Sequence, residues 1–354
     1  FDFLFLMLLI AKGHSLQIAP DRRILVCGAT GKLGRLVVEE LLTNPSTADV
    51  QVKAAVRNTG KAKEIFRESK FQSEISRLEI KKCDLGNESQ LRSVCSDVDQ
   101  VIWCATGFTD TSSPLDKVLG LLKLQFQPET SLDISGLKNL GSVFAKKKKG
   151  EDIDNSSATL PSIVVCSSAG VTRPSWSDEK KARFIGASDI PIVRLNPFGI
   201  LDNKLKGEEA LRESGADYTI FRPGGLNDDW PSGRPFISQG DLAVGRINRA
   251  DVASLLVAML SEPKATKKTF EAISLPQFPK PLSYDQQLSR LVSDGQEISE
   301  ETLDCTYALM QQCTPGQMLK PQELAMGQTY EQLDKSEEGR LGKRGEEAVP
   351  IIRE

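Results

Sequence analysis

The feature that most restricts the fold of this chain is a glycine-rich run, Gly28-Ala29-Thr30-Gly31-Lys32-Leu33-Gly34, set directly after the apolar stretch Ile24-Leu25-Val26-Cys27. Leu33, Val37, Val38, Leu41 and Leu42 then recur at helical spacing until Asn44-Pro45 stops the pattern. A strand that turns through spaced glycines into a helix is a phosphate-binding arrangement, because the helix N-terminus presents unpaired backbone N–H groups. The three glycines have separate roles. Gly28 lets the chain turn tightly off the strand, Gly31 lets the backbone approach a pyrophosphate, and Gly34 lets the helix pack closely on the sheet. All seven residues of the run are therefore candidate cofactor contacts.

The rest of the first 275 residues alternates strands and helices. Val50 to Val56 reads as a strand, with Val50, Val52, Ala54 and Val56 alternating with Gln51, Lys53 and Ala55. A helix from about Lys61, a strand Leu78 to Lys82, a short helix from Glu88 to Cys95 and a strand Gln100 to Cys104 complete two βαβ units. Thr109 to Pro128, with LDKVLGLLKLQF, is less regular and reads as a lid or an insertion. Further on come a helix from Thr130 or Ser131 to Lys149, a strand Ser162 to Cys166 and a loop Ala169 to Asp189 containing Trp176. Ile190 to Leu195 is expected as a short strand or extended lead-in, Asn203 to Ser214 as a helix and Asp217 to Phe221 as a strand. A helix from Arg249 or Ala250 and a last strand, Thr269 to Ile273, follow. The pattern predicts an α/β fold with a doubly wound parallel sheet of the NAD(P)-binding Rossmann type over residues 21–275. Pro276, Pro279 and Pro281 mark a boundary, and 276–354 is expected to be a polar tail, partly helical and partly disordered.

The end of the second strand bears on the choice of cofactor. An NAD site usually places an acid there for the ribose 2′-hydroxyl. Here Arg57 and Asn58 stand at that position, with Lys61 and Lys63 behind them. A guanidinium can grip a 2′-phosphate with several donors, which favours NADP(H) over NAD(H). Asp84 and Leu85 after the third strand can meet the adenine edge. Cys104-Ala105-Thr106-Gly107 after the fourth are small enough for a cofactor to lie across them.

Composition removes several alternatives. The formal charge is −3, and the cluster Lys146 to Lys149 is followed by Glu151, Asp152 and Asp154, so no basic field for nucleic acid is expected. Histidine occurs once, at His14, which leaves the folded body without a histidine triad or a His-rich zinc site. The seven cysteines contain no CxxC pair and read as free thiols in a reducing compartment. Phe1 to Ala11 is apolar but too short to span a bilayer. Residues 1–20 are expected to be a signal or targeting remnant, the alternative being a hydrophobic segment docked on the body. A leader of secretory type combined with free thiols suggests a plastid reached through the secretory route. The alternative is a cytoplasmic location. No transmembrane span is expected in the body.

The stretches ILVCGATGKLGRLVVEELL, VKAAVRN, CDLGNESQL, VIWCATG, VVCSSAGV, KGEEALRESGADYTIFRPGGL and GRINRADVASLLVAML together resemble the atypical short-chain dehydrogenase/reductase superfamily. They look most like its NmrA-like NAD(P)-binding members, which include the Rossmann component of the chloroplast inner-envelope import machinery. The resemblance spans about residues 22 to 273. It implies that Arg222, Pro223 and Gly224 lie near the nicotinamide, that Arg249 and Asp251 form a structural motif, and that Lys206 holds the nicotinamide ribose. It also implies that Ser167 and Ser168 stand in the catalytic serine region. The catalytic tyrosine, four residues before the lysine, is replaced by Asp202. A carboxylate ionised near neutrality cannot act as the same acid. Tyr218 lies in a strand and is expected to be packing rather than a substitute.

Two functions follow as expectations. One is an NADP(H)-dependent oxidoreductase acting on a small-molecule carbonyl, enone or quinone beneath the Thr109–Pro128 and Trp176 loops. The other is a non-catalytic NADP(H)-binding scaffold, assembly factor or redox sensor, with a protein partner engaged through the C-terminal tail.

Overall fold

The alternation of strands and helices is present in a computed structural model, which describes residues 21–69, 71–106, 131–150, 159–188, 190–275 and 278–313. Its first half comprises β1 (Arg23–Cys27), α1 (Lys32–Thr43), β2 (Gln51–Val56), α2 (Thr59–Arg67), β3 (Leu78–Lys82), α3 (Glu88–Val94) and β4 (Gln100–Trp103). The second half comprises α4 (Leu132–Gly150), β5 (Ile163–Cys166), α5 (Asp178–Arg183), α6 (Pro191–Leu195), α7 (Ile200–Glu213) and β6 (Tyr218–Pro223). The chain continues through β7 (Gly225–Leu226), β8 (Arg234–Ser238), β9 (Arg246–Ile247), α8 (Arg249–Met259), β10 (Lys268–Leu275), α9 (Asp285–Ser289) and α10 (Glu300–Cys313).

The main sheet runs β3-β2-β1-β4-β5-β6-β10-β8, parallel except for the β10–β8 pair. Strand order reverses between β1 and β4, and such a reversal opens a crevice at the carboxyl ends of the strands. Helices cover both faces. Val37, Val38 and Leu41 of α1 and Leu256 and Met259 of α8 pack on one face. Leu91 of α3, Leu140 and Phe144 of α4 and Leu211 of α7 pack on the other. A sheet covered on both sides buries its strands along their whole length. This corrects the alternation expected in β2. Lys53 occupies one of its polar positions yet is 5% exposed, and its ammonium reaches Asp97 Oδ1 at 2.6 Å.

Several other expectations change. Ile190 to Leu195 is not extended. Pro191, with φ suited to a first helical turn, starts α6, and Asn196 ends it in the left-handed region at φ 30°. The antiparallel edge strand β8 has no counterpart in the sequence reading, because Pro235 at its second position argues against a strand unless it lies at an edge. Packing also continues beyond Leu275, the residue at which the body was expected to end. Leu288 and Met310 are buried, and the Arg183 guanidinium pairs with Glu300 and Asp304 of α10. Trp176 is buried with Phe184, Ala187, Leu242 and Leu303. Among the described residues no helix is long and apolar enough to cross a membrane. Residues 1–20, Gly107, the Thr109–Pro128 segment and 314–354 lie outside the described residues.

Candidate functional site

The glycine run forms the turn between β1 and α1. Gly28 adopts φ +79°, and a Cβ there would stand 2.8 Å from the Ala105 nitrogen, so the β4 end sits directly against the loop. The Gly31 N–H donates to the Gly28 carbonyl at 2.9 Å and closes the turn. Gly31 is also the N-cap of α1 and supplies no side chain to its first-turn N–H groups, which is the condition for those groups to receive a phosphate. A Cβ on Gly34 would lie 2.1 Å from the Gly28 carbonyl oxygen, so only glycine lets the helix approach this closely. Ala29 is buried, Thr30 and Leu33 are half-buried, and Lys32 is exposed at the start of the helix. This bare cradle fits a dinucleotide pyrophosphate.

The residues expected to meet the adenosine half of a dinucleotide lie after β2 and β3. Arg57 is exposed at the carboxyl end of β2. Asn58 acts locally, its side chain accepting the Lys61 N–H at 3.0 Å and capping α2. Asp84 accepts the Gly86 N–H at 3.0 Å and donates its own N–H to Gln90 Oε1 at 2.9 Å, while Leu85 is buried beneath it. Cys104, Ala105 and Thr106 continue from β4 along the same edge of the sheet.

At the ends of β4 and β5 the two lysines of α7 are placed differently. Lys206 is exposed on α7, whereas Lys204 faces inward. Two residues of helix turn about 200°, so the two lysines point to opposite sides. The Lys204 ammonium lies 3.1 Å from Asp133 Oδ1 at the start of α4. The two line a small pocket with Trp103, Leu137, Val165, Cys166 and Ser167. Burial opposes the charge on Lys204, but Asp133 outweighs it and the ammonium pKa is raised. Gly207 makes the approach of α7 to α4 possible, since a Cβ there would be 2.1 Å from the Asp133 carbonyl oxygen. Asp202 is exposed and accepts the Asn196 amide at 2.9 Å. The residue four before Lys204 is Ile200, so no phenol stands at that position either.

Ser167 and Arg222 are brought together by a residue the sequence reading passed over. Glu208 is fully buried. It accepts the Ser167 hydroxyl at 2.5 Å and the Arg222 Nε and Nη2 at 3.0 and 2.5 Å, and Arg212 Nη2 adds a bond at 2.9 Å. Burial works against ionisation of Glu208, yet the Arg222 and Arg212 guanidiniums hold its carboxyl below the usual carboxylate range. Ser168 donates to the Ala169 carbonyl at 3.0 Å. Pro223 is buried in β6, and Gly224 lies against Gly245, where a Cβ would meet the carbonyl oxygen at 2.6 Å. Asp251 is structural, gripping the Gly233 N–H at 2.9 Å and the Ser274 hydroxyl at 2.6 Å, and Arg249 pairs with Asp228 at 2.5 Å. Tyr218 is buried and donates to Asp294 Oδ2 at 2.9 Å. Lys204 and Glu208 share the helix face of Leu201 and Leu211, and polar residues on an apolar stripe were the signal that could have found them.

An uncharacterized chloroplastic protein of Arabidopsis thaliana is 28% identical over 76% of this chain and 82% of its own length. The chloroplastic protein TIC 62 of Pisum sativum is 26% identical over 69% of this chain, which spans only 41% of that protein. Quinone oxidoreductase 2 of Escherichia coli is 22% identical over 70% of this chain and 67% of its own length. The sequence model of the NAD(P)H-binding family matches residues 28–263, the span that runs from the phosphate loop to the turn after α8, and the chain belongs to that family.

Proposed function

We propose that this protein is an NADP(H)-dependent reductase of the atypical short-chain type, acting on a carbonyl, enone or quinone. The observation that carries this reading is the Lys204–Asp133 pair, a half-buried cation held at the ends of β4 and β5. NADPH, when bound, supplies the hydride. The α1 N-terminus and Gly31 receive the pyrophosphate, and Arg57 receives the 2′-phosphate. Lys204, kept protonated by Asp133, holds the nicotinamide ribose and stabilises negative charge that develops on the acceptor oxygen. The similarity to a quinone oxidoreductase supports the acceptor class. The chloroplastic relatives support a plastid location.

A second reading, a non-catalytic NADP(H)-binding scaffold or sensor, is favoured by Ser167. Its hydroxyl donates to Glu208 at 2.5 Å rather than towards the pocket. In this reading the C-terminal tail, residues 276–354, contacts a protein partner.

The test is a titration of the full chain with NADPH and NADH, followed by NADPH oxidation with a panel of carbonyls and quinones. Tight NADPH binding with turnover supports the reductase. Tight binding without turnover selects the scaffold. Equal binding of both nucleotides removes the role of Arg57, and binding of neither removes both functions.

A further inference from the structure

Cysteines stand at four strand ends along the same edge of the sheet: Cys27 ends β1, Cys83 follows β3, Cys104 follows β4 and Cys166 ends β5. The β4–β5 register pairs Val101 with Ile163, Ile102 with Val164 and Trp103 with Val165. One step further opposes Cys104 to Cys166. The flanking ladders are still intact at that step. The Cys104 N–H donates to the Cys27 carbonyl at 3.0 Å, Cys166 remains paired with Phe221, and the Ser167 N–H donates to the Phe221 carbonyl at 2.7 Å.

Side chains alternate between the faces of a strand, so residues opposed in register share a face. Cys104 and Cys166 both pack against the core beneath α1 and α8, on the opposite side from Cys27, Cys83 and Cys95. They also differ in access. Cys27, Cys83 and Cys95 are buried, whereas Cys104 and Cys166 are half-buried. Neighbouring strands lie about 4.8 Å apart, inside the roughly 4.4–6.8 Å Cα separation that a disulfide spans.

We infer that Cys104 and Cys166 form a cross-strand dithiol at the nicotinamide end of the cleft, which a small-molecule disulfide oxidises to an intrachain disulfide. One thiolate attacks a sulfur of the oxidant, forming a mixed disulfide and releasing one thiol. The second protein thiolate displaces the remaining half. The protein loses two hydrogens, and the oxidant is reduced to two thiols. Cys166 is the attacking residue. Burial pushes its thiol up to about 11, but the Lys204 ammonium works against that rise. Burial, and then Cys166, raises the Cys104 thiol well above its ordinary value. The exchange is therefore slow near neutrality and quickens with pH. Its consequence rests on the reading under Proposed function: the S–S bond restrains the end of β4, where Ala105 abuts Gly28 of the phosphate loop, and weakens cofactor binding.

The experiment uses the reduced full chain carrying Cys305→Ser, which removes an exposed thiol. The protein is treated with oxidised glutathione at about pH 9, alkylated, digested and mapped by mass spectrometry. The expected product is a peptide pair joined through Cys104 and Cys166, lost in Cys104→Ser and in Cys166→Ser. Recovery of both as alkylated thiols, or a bridge from either to another cysteine, would overturn the inference. The map needs no cofactor. A reduced protein that does not bind NADPH would therefore sink the proposed function and leave the dithiol standing. The oxidised protein should bind NADPH about tenfold more weakly, with recovery on reduction and no such change in Cys166→Ser. Unchanged affinity in the bridged protein would overturn the coupling to the cleft.

Discussion

The Arg222 guanidinium holds the Glu208 carboxylate through Nε at 3.0 Å and Nη2 at 2.5 Å, both groups buried between β6 and α7. Glu208→Gln keeps the shape and removes the charge, leaving a buried guanidinium without its counter-ion. Breaking such a pair from one side costs about 3–5 kcal/mol. Urea denaturation should report a loss of that size. A loss below about 1 kcal/mol would mean that Arg222 finds compensation elsewhere.

The Lys204 assignment separates from the Lys206 expectation by two substitutions. Lys204→Met should weaken NADPH binding by about tenfold and abolish turnover of any acceptor found. Lys206→Met, at an exposed site, should change neither. Fluorescence titration of both variants decides the matter, and equal effects would return the role to Lys206.

Arg57 is the residue on which cofactor choice depends. Arg57→Ala should lower NADPH affinity about 10- to 100-fold, the value of a lost charge-assisted phosphate contact, while NADH affinity stays the same. A parallel fall for both nucleotides would mean that Arg57 does not read the 2′-phosphate.

Gly34 and Gly31 differ in what a methyl group would meet. In Gly34→Ala the new Cβ is placed 2.1 Å from the Gly28 carbonyl oxygen, whereas in Gly31→Ala it is 3.3 Å from the same atom. The first contact is between backbone-fixed atoms, so α1 must move. Gly34→Ala should lose about 1–3 kcal/mol or more of stability together with NADPH binding. Gly31→Ala should melt close to the parent. Thermal melts and NADPH titration of the two variants read this difference.

Glu271 gives the fold a pH dependence. Burial, followed by the Asp241 carboxylate, raises its pKa from 4.5 to about 7, although Arg222 and Arg173 pull the other way. The folded state then binds more protons than the unfolded chain between those values, so this group makes stability fall as pH rises from about 4.5 to about 7. Its contribution is constant outside that window. Glu271→Gln should flatten this part of the stability profile, measured by denaturation at a series of pH values. An unchanged slope would assign the dependence to other groups.

The phosphate loop, the doubly wound sheet and the dinucleotide cleft were legible in the residues because each rests on local signals. Gly28 needs a positive φ, Gly34 needs the absence of a Cβ, and apolar strand runs such as Ile24 to Cys27 have only one place to go in a sheet covered on both faces. Lys204, Asp133 and Glu208 were not legible. Asp133 lies 71 residues from the lysine it holds, and no spacing rule connects them. Which of Lys204 and Lys206 faces Asp133 depends on the rotation of α7, where Gly207 packs on the Asp133 backbone. The edge strand β8 and the helix α10 likewise form against neighbours distant in the chain, Ile273 of β10 for Phe236 and Arg183 of α5 for Glu300 and Asp304. Elements whose conformation is fixed by adjacent residues, and with them the cofactor class, could thus be read from the order of amino acids. Which charges meet in the cleft is settled only when α4, α7 and the strand ends pack together, because burial and pairing are properties of two surfaces and neither segment specifies them alone.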